Sequence, residues 1–139
     1  MANLRILWLA ACLPVSACDA WPTVVDNRSE TTIHYQYHHK DYQDWSAIRD
    51  LAAGKATRLA RAHYAEDIIG VRVREGAQIY ELPPSEIDRL HKICSRSWLD
   101  HLTTGGDCWL TYRGEGQFDF STNAPPGEVE VDALGNAVN

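Results

Sequence analysis

Two groups of side chains in this sequence have types and spacing that could do chemistry. Cys94 and Cys108 are the cysteines of the chain's body, apart from Cys12 and Cys18 near its start. Two thiols can close a disulfide in an oxidising compartment, or join His91 and His101 around a metal. The spacing of those four matches no familiar zinc pattern, and the two histidines leave a helix on different sides. A disulfide between Cys94 and Cys108 is therefore expected, and closing such a loop stabilises a fold by about 3 kcal/mol.

The second group is His34, His38 and His39, with His63 further on. Imidazoles so close together could grip copper or zinc, with His63 or a carboxylate from Asp41 or Asp44 completing the set. On an extended strand, however, His34 and His38 lie about 13 Å apart at their Cα atoms, too far to share one ion unless other elements bend in. Metal handling is accordingly the alternative reading. The loop that follows, residues 39–45, mixes Tyr42 and Trp45 with Lys40, Asp41, Gln43 and Asp44. Aromatic and polar groups interleaved on a loop suit a glycan or a protein partner. The plain structural use of Trp45 is as the first core residue of the next strand.

Nothing in the chain spells catalysis. No serine sits in a nucleophile elbow, and the pair Glu66 and Asp67 falls at a strand start, where charge is solvated. Gly105-Gly106 follows a helix pattern and reads as its stop, not as a phosphate loop. No enzymatic activity and no cofactor are expected.

The balance of charge narrows the partners. Thirteen basic against nineteen acidic residues give a formal net charge of −6. An acidic surface repels phosphate backbones, so nucleic acid is not expected as a partner. The same charge disfavours anionic lipid surfaces, which leaves a covalent lipid as the route to a membrane. An inhibitor or immunity-type role against a cationic partner fits this balance by analogy.

The first residues suggest how that lipid is acquired. Arg5 precedes an uncharged apolar run, residues 6–13, too short to span a bilayer but long enough for a signal-peptide core. Pro14 and the small residues Ser16 and Ala17 then lead to a cysteine. Val15-Ser16-Ala17-Cys18 resembles the lipobox of bacterial lipoproteins: an aliphatic residue, two small ones, and the cysteine to be diacylated. Leu9-Ala10-Ala11-Cys12 fits the same pattern, yet only Ile6, Leu7 and Trp8 separate Arg5 from it, too few for an apolar core. Length favours Cys18. Conventional cleavage after Ala20 and a plain buried first element are the other readings. Loss of Arg5 with the signal makes the mature chain one unit more acidic. The resemblance implies lipid anchoring in the cell envelope, facing the periplasm, and Asp19 after the cysteine resembles an inner-membrane retention signal.

These groups need a scaffold, and the hydrophobic pattern supplies one. Thr31, Ile33, Tyr35 and Tyr37 alternate with Thr32, His34, Gln36 and His38, the period of a half-buried strand. Residues 68–82 read as a hairpin turning at Glu75-Gly76, with Ile69, Val71 and Val73 on its inward face. Cys108, Leu110 and Tyr112 alternate with polar neighbours before Gly114-Glu115-Gly116 reverses the chain into residues 117–121, which carry Phe118 and Phe120 on one face. Shorter strands are expected at 23–26, 45–51 and 56–62. One segment has the helical period: Ser85 as N-cap, then Ile87, Leu90, Cys94, Trp98 and Leu102 on one stripe.

The expected organisation is a signal peptide at 1–17, a lipidated linker at 18–22, a β-rich domain at 23–122, and a flexible acidic tail at 123–139. The fold class is mainly β: a small antiparallel sandwich or partly open barrel, with one inserted helix at about 85–102. The expected function is that of a lipid-anchored envelope module binding a protein or a glycan.

Overall fold

In the computed structural model, which describes residues 23–59, 65–94 and 107–125, alternating patterns become two stacked sheets. In chain order the elements are β1 (Thr23–Asn27), β2 (Ile33–His39), β3 (Arg49–Leu51), β4 (Ala56–Arg58), a 3₁₀ turn (Ala65–Asp67), β5 (Ile68–Glu75), β6 (Gln78–Glu81), α1 (Pro84–Cys94), β7 (Cys108–Gly114) and β8 (Gln117–Ser121). The first sheet has the order β4-β1-β7-β8 and the second β3-β2-β5-β6. A mainly β sandwich with a helix is thus the fold. Its first sheet is mixed, because β1 runs parallel to β7, from Thr23 opposite Cys108 to Asn27 opposite Tyr112.

Strand patterns explain the layering. In β2, Ile33, Tyr35 and Tyr37 are buried, while His34, Gln36 and His38 are half-buried on the outer face. Every residue of β1 is buried, so its two faces meet two clusters. Val25 joins the main core with Ile33, Tyr35, Val71, Val73, Leu110 and Tyr112, whereas Val24 packs with Ala56 and Trp109 on the other face. A strand covered on both sides loses the apolar-polar alternation, which is why its pattern reads less clearly than that of β2.

Four expectations need correction. Ile69 is 47% exposed instead of inward-facing, and Ile68 takes its place in the core. The cause is a bulge: His38 pairs with Gly70 but His39 with Ile68, so Ile69 is an extra residue and the alternation slips by one. The β5–β6 turn consists of Gly76 and Ala77, because Glu75 already pairs with Gln78. Gly76, with φ +57°, supplies the positive angle at the first turn position. The strand expected at 45–51 begins only at Arg49, and that expected at 56–62 is described only to Arg58.

The fourth correction concerns the helix start. Pro84, not Ser85, opens α1, and the Pro83 carbonyl accepts from Glu86 N–H at 2.9 Å and Ile87 N–H at 3.2 Å. Proline suits the first helical position because its φ is already helical and its missing N–H would be unpaired there anyway. Ile87, Leu90 and Cys94 form the buried stripe, and α1 packs against β5 of one sheet and β8 of the other. Trp98, Leu102 and Gly105-Gly106 lie outside the described residues.

Among the described residues, links of different kinds hold the layers together. Cys94 and Cys108 form a disulfide, Cα to Cα 5.6 Å, tying α1 to β7. The Tyr112 hydroxyl donates to Glu75 Oε2 at 2.7 Å, pinning the tip of the β5–β6 hairpin to β7. Asn27, fully buried, donates through Nδ2 to the carbonyls of Thr31 at 2.8 Å and Leu51 at 2.9 Å. Its Oδ1 accepts from Ser29 N–H and Ser29 Oγ–H. All of its bonding capacity is used, within the crossing from β1 to β2 and against the end of β3, as a buried amide requires.

Candidate functional site

Nine residues separate β2 from β3, and their fold is dictated by a small residue on the neighbouring strand. Ser46 N–H donates to the Tyr37 carbonyl at 2.8 Å, and Tyr37 N–H donates to Ser46 Oγ at 3.1 Å. Gln36 Nε2 donates to the Ser46 carbonyl at 2.6 Å. These bonds fold residues 40–48 back along β2. Trp45 then lies over Gly70 of β5, where a Cβ would stand only 2.9 Å from the indole Cη2. The Arg72 guanidinium stacks 4.3 Å from the Trp45 ring centroid, and the His38 ring sits 5.5 Å away. Trp45 does fold back, but onto the outer face of the second sheet and not into the core. An indole held between a cation and an imidazole is a stiff prop for the loop.

Beneath and beside that loop is a cavity of about 510 Å³, lined by Tyr37, His39, Tyr42, Trp45 and Arg49 together with the polar residues Gln43, Asp44 and Ser46. Tyr42 is 47% exposed at its edge, with its ring 5.1 Å from that of His39. His39 belongs to the end of β2 rather than to the loop, and it is buried. Its Nδ1 accepts from Asp41 N–H at 3.2 Å, which leaves Nε2 facing Asp67 Oδ2 at 3.8 Å. Lys40 Nζ meets the other oxygen of Asp67 at 2.6 Å, and that bond raises the lysine's pKa above the usual lysine range.

The histidines of the alternative, metal-handling reading have separate partners. His34 Nδ1 bonds the Asp50 carboxylate, His38 Nε2 meets the Tyr42 carbonyl at 2.9 Å, and His39 turns to the opposite face. Among the described residues no group of three or more His, Cys, Asp or Glu side chains could hold a metal. His63, Cys12, Cys18, Asp19 and His101 lie outside the described residues. Cys94 and Cys108 serve the fold, as the disulfide expected from their isolation. Tyr37, Arg49, Gly70 and the anchoring Ser46 are among the site residues that sequence reasoning missed. The lone glycine between β-formers in β5 was the available signal, since such a glycine marks a bulge or the close approach of another group.

The cavity pairs aromatic faces with a guanidinium, an imidazole, an amide and a carboxylate. Its volume lies within the range of small-ligand sites, roughly 300–1,000 Å³. Comparison of the chain with protein-family models, curated proteins and solved structures found no match.

Proposed function

We propose that this chain is a lipid-anchored binding module of the bacterial cell envelope, which takes a glycan unit in the cavity beside Tyr42 and Trp45. The observation that carries the proposal is the cavity itself. A protein partner needs a broad surface, whereas about 510 Å³ edged by aromatic rings and polar groups matches a polar ligand of a few rings. Aromatic planes cover the apolar faces of sugar rings, while Arg49, Gln43, Asp44 and His39 offer both donors and acceptors for hydroxyls. The envelope address rests on the resemblance of residues 15–18 to a lipobox, with Cys18 the anchored residue. The Cys94–Cys108 disulfide supports it, since such bonds persist in oxidising compartments. Tethering keeps a weak binder near its ligand and raises its effective concentration.

The test uses the full chain produced in a bacterium, probed on an array of envelope glycans. At least one glycan should bind, and Trp45→Ala or Tyr42→Ala should weaken that binding about tenfold or more while the melting temperature stays close to wild type. Cys18→Ser should leave the detergent phase and enter the aqueous one. Absence of glycan binding, or binding indifferent to both aromatic variants, sinks the glycan reading. Micromolar copper or zinc binding that vanishes in His34→Ala/His38→Ala would restore the metal alternative.

A further inference from the structure

Beyond Trp45, the same outer face of the second sheet carries a groove that is separate from the cavity. Cross-strand partners share a face, so Asp50, His34, Arg74 and Ile79 form one outward row across β3, β2, β5 and β6. Gln36, Arg72 and Glu81 form the next row. Between the rows runs an open groove of about 230 Å³, lined by His34, Gln36, Ile48, Arg72, Arg74 and Ile79. Ile48 is 59% and Ile79 64% exposed, among the most exposed large apolar side chains described.

The charges in this groove are unbalanced. Asp50 is engaged by His34. Arg72 donates to the Gln36 amide oxygen at 2.9 Å and stacks on Trp45, and no carboxylate among the described residues lies within ion-pair distance of it or of Arg74. Glu81 stands opposite Arg72 across β6 and is exposed, without an ion pair between them. Two guanidiniums without ion-pair partners thus stand together on one face of a chain whose formal net charge is −6.

We infer that this groove docks an extended acidic segment of a partner protein. Arg72 and Arg74 are two residues apart on one strand, so their Cα atoms lie about 6.6 Å apart, the same step that separates alternate side chains of an extended peptide. Carboxylates at positions i and i+2 of such a peptide can each take a guanidinium in a two-pronged bond. Ile48 directly precedes β3 and Ile79 lies on β6, so the two flank the Arg72–Arg74 line on either side, where aliphatic side chains of the docked segment would cover them. A phosphate polymer or an anionic lipid surface is a poor occupant, because it would extend over the acidic remainder of the chain, whereas a short segment sets two carboxylates on the guanidiniums alone.

The probe is a fluorescent peptide, Leu-Ser-Glu-Ser-Glu-Ser-Leu, which presents Leu, Glu, Glu and Leu on one extended face. Anisotropy titration against the full chain should give saturable binding that weakens as salt rises. Arg74→Gln, a substitution on an exposed face that touches neither Trp45 nor the loop, should weaken binding about tenfold, and Ile79→Ser should also weaken it. Replacing both glutamates of the peptide by lysine should abolish binding. No binding to wild type, or binding unchanged by Arg74→Gln, overturns the inference. So does probe binding that strengthens about tenfold in Glu128→Gln/Glu130→Gln/Asp132→Asn, because the chain's own acidic segment would then be the occupant. Glycan binding through the cavity should persist in Arg74→Gln, so the two proposals fail separately.

Discussion

The outer faces of the two sheets are assembled from similar residue types and meet opposite fates. On the first sheet Val24, Ala56 and Trp109 are at most 5% exposed, and the Asp26 carboxylate beside them is 1% exposed. Arg28 Nε meets that carboxylate at 2.7 Å, and the Thr111 hydroxyl stands 3.5 Å away. On the second sheet Ile48 and Ile79 lie in solvent, and Arg74 has no ion-pair partner among the described residues. Composition does not separate the two faces; cover does. A buried charge must be paired because the interior cannot solvate it, whereas an exposed guanidinium can wait for a partner. An uncovered face that keeps both unpaired charge and apolar side chains has the makeup of a recognition surface.

The sharpest test of this contrast substitutes one large side chain on each face. Trp109→Ala opens a cavity and should cost about 4 kcal/mol. Ile79→Ala removes contacts that scarcely exist in the free protein and should stay within about 0.5 kcal/mol. Urea denaturation of the two variants checks the pair. Comparable losses would mean that Ile79 is held by packing, and the contrast would fall.

A smaller effect is expected where the sheets join. Tyr112→Phe removes the bond to Glu75 and should cost about 2 kcal/mol, since the acceptor is charged. Hydrogen bonds from Tyr112, Glu115 N–H and Thr31 hold the Glu75 carboxyl below the usual carboxylate range. A carboxylate lowered in the folded state contributes stability above its unfolded pKa, about 4.3, and that contribution fades as pH falls through the folded value. Burial, with help from the bond to Glu75, raises the Tyr112 hydroxyl above the usual tyrosine range. Its contribution is complete below the unfolded tyrosine pKa, about 10, and declines as pH rises beyond it. The stability advantage of wild type over Glu75→Gln should therefore be present at neutral pH and shrink in acid. An advantage that grew in acid would contradict the bonding seen at the hairpin tip.

Legibility in the sequence followed burial on one side. β2 alternates because only one of its faces is covered, and its bounds were read to within two residues at the start and one at the end. The type I′ turn of β7–β8, with Glu115 at φ +51° and Gly116 at φ +77°, was announced by the glycines around it. The bulge at Ile69 was not, because a run of Ile-Ile-Gly-Val fits either register and the choice is made by His39 turning inward on the neighbouring strand. The candidate site was half visible. Tyr42 and Trp45 declare themselves as aromatics in a polar loop, whereas Arg49 and Tyr37 join them only because Ser46 anchors the loop to β2. The parallel pairing of β1 with β7 connects residues too far apart for any local pattern to reveal.

The smallest expected effect sharpens the comparison within the second sheet, between the part of its outer face that is covered and the part that is open. Trp45 covers Gly70, and a methyl group there would meet Cη2 at 2.9 Å and His38 Cβ at 3.3 Å. The nearer contact is with the far end of a loop side chain, so the loop should yield while the sheet keeps its register. Gly70→Ala should thus cost less than about 1 kcal/mol, part of the strain being offset by the lower entropy of the unfolded chain. The same variant should shift the tryptophan emission as the indole leaves Arg72. In a Trp45→Phe background, which removes the clashing ring edge, the substitution should leave the emission unchanged, and the double-mutant cycle should return a coupling between positions 45 and 70. Equal losses above about 2 kcal/mol in both backgrounds would show that the backbone itself needs glycine at this position. Trp45 would then be a passenger on the sheet, and its placement beside the cavity would owe nothing to Gly70.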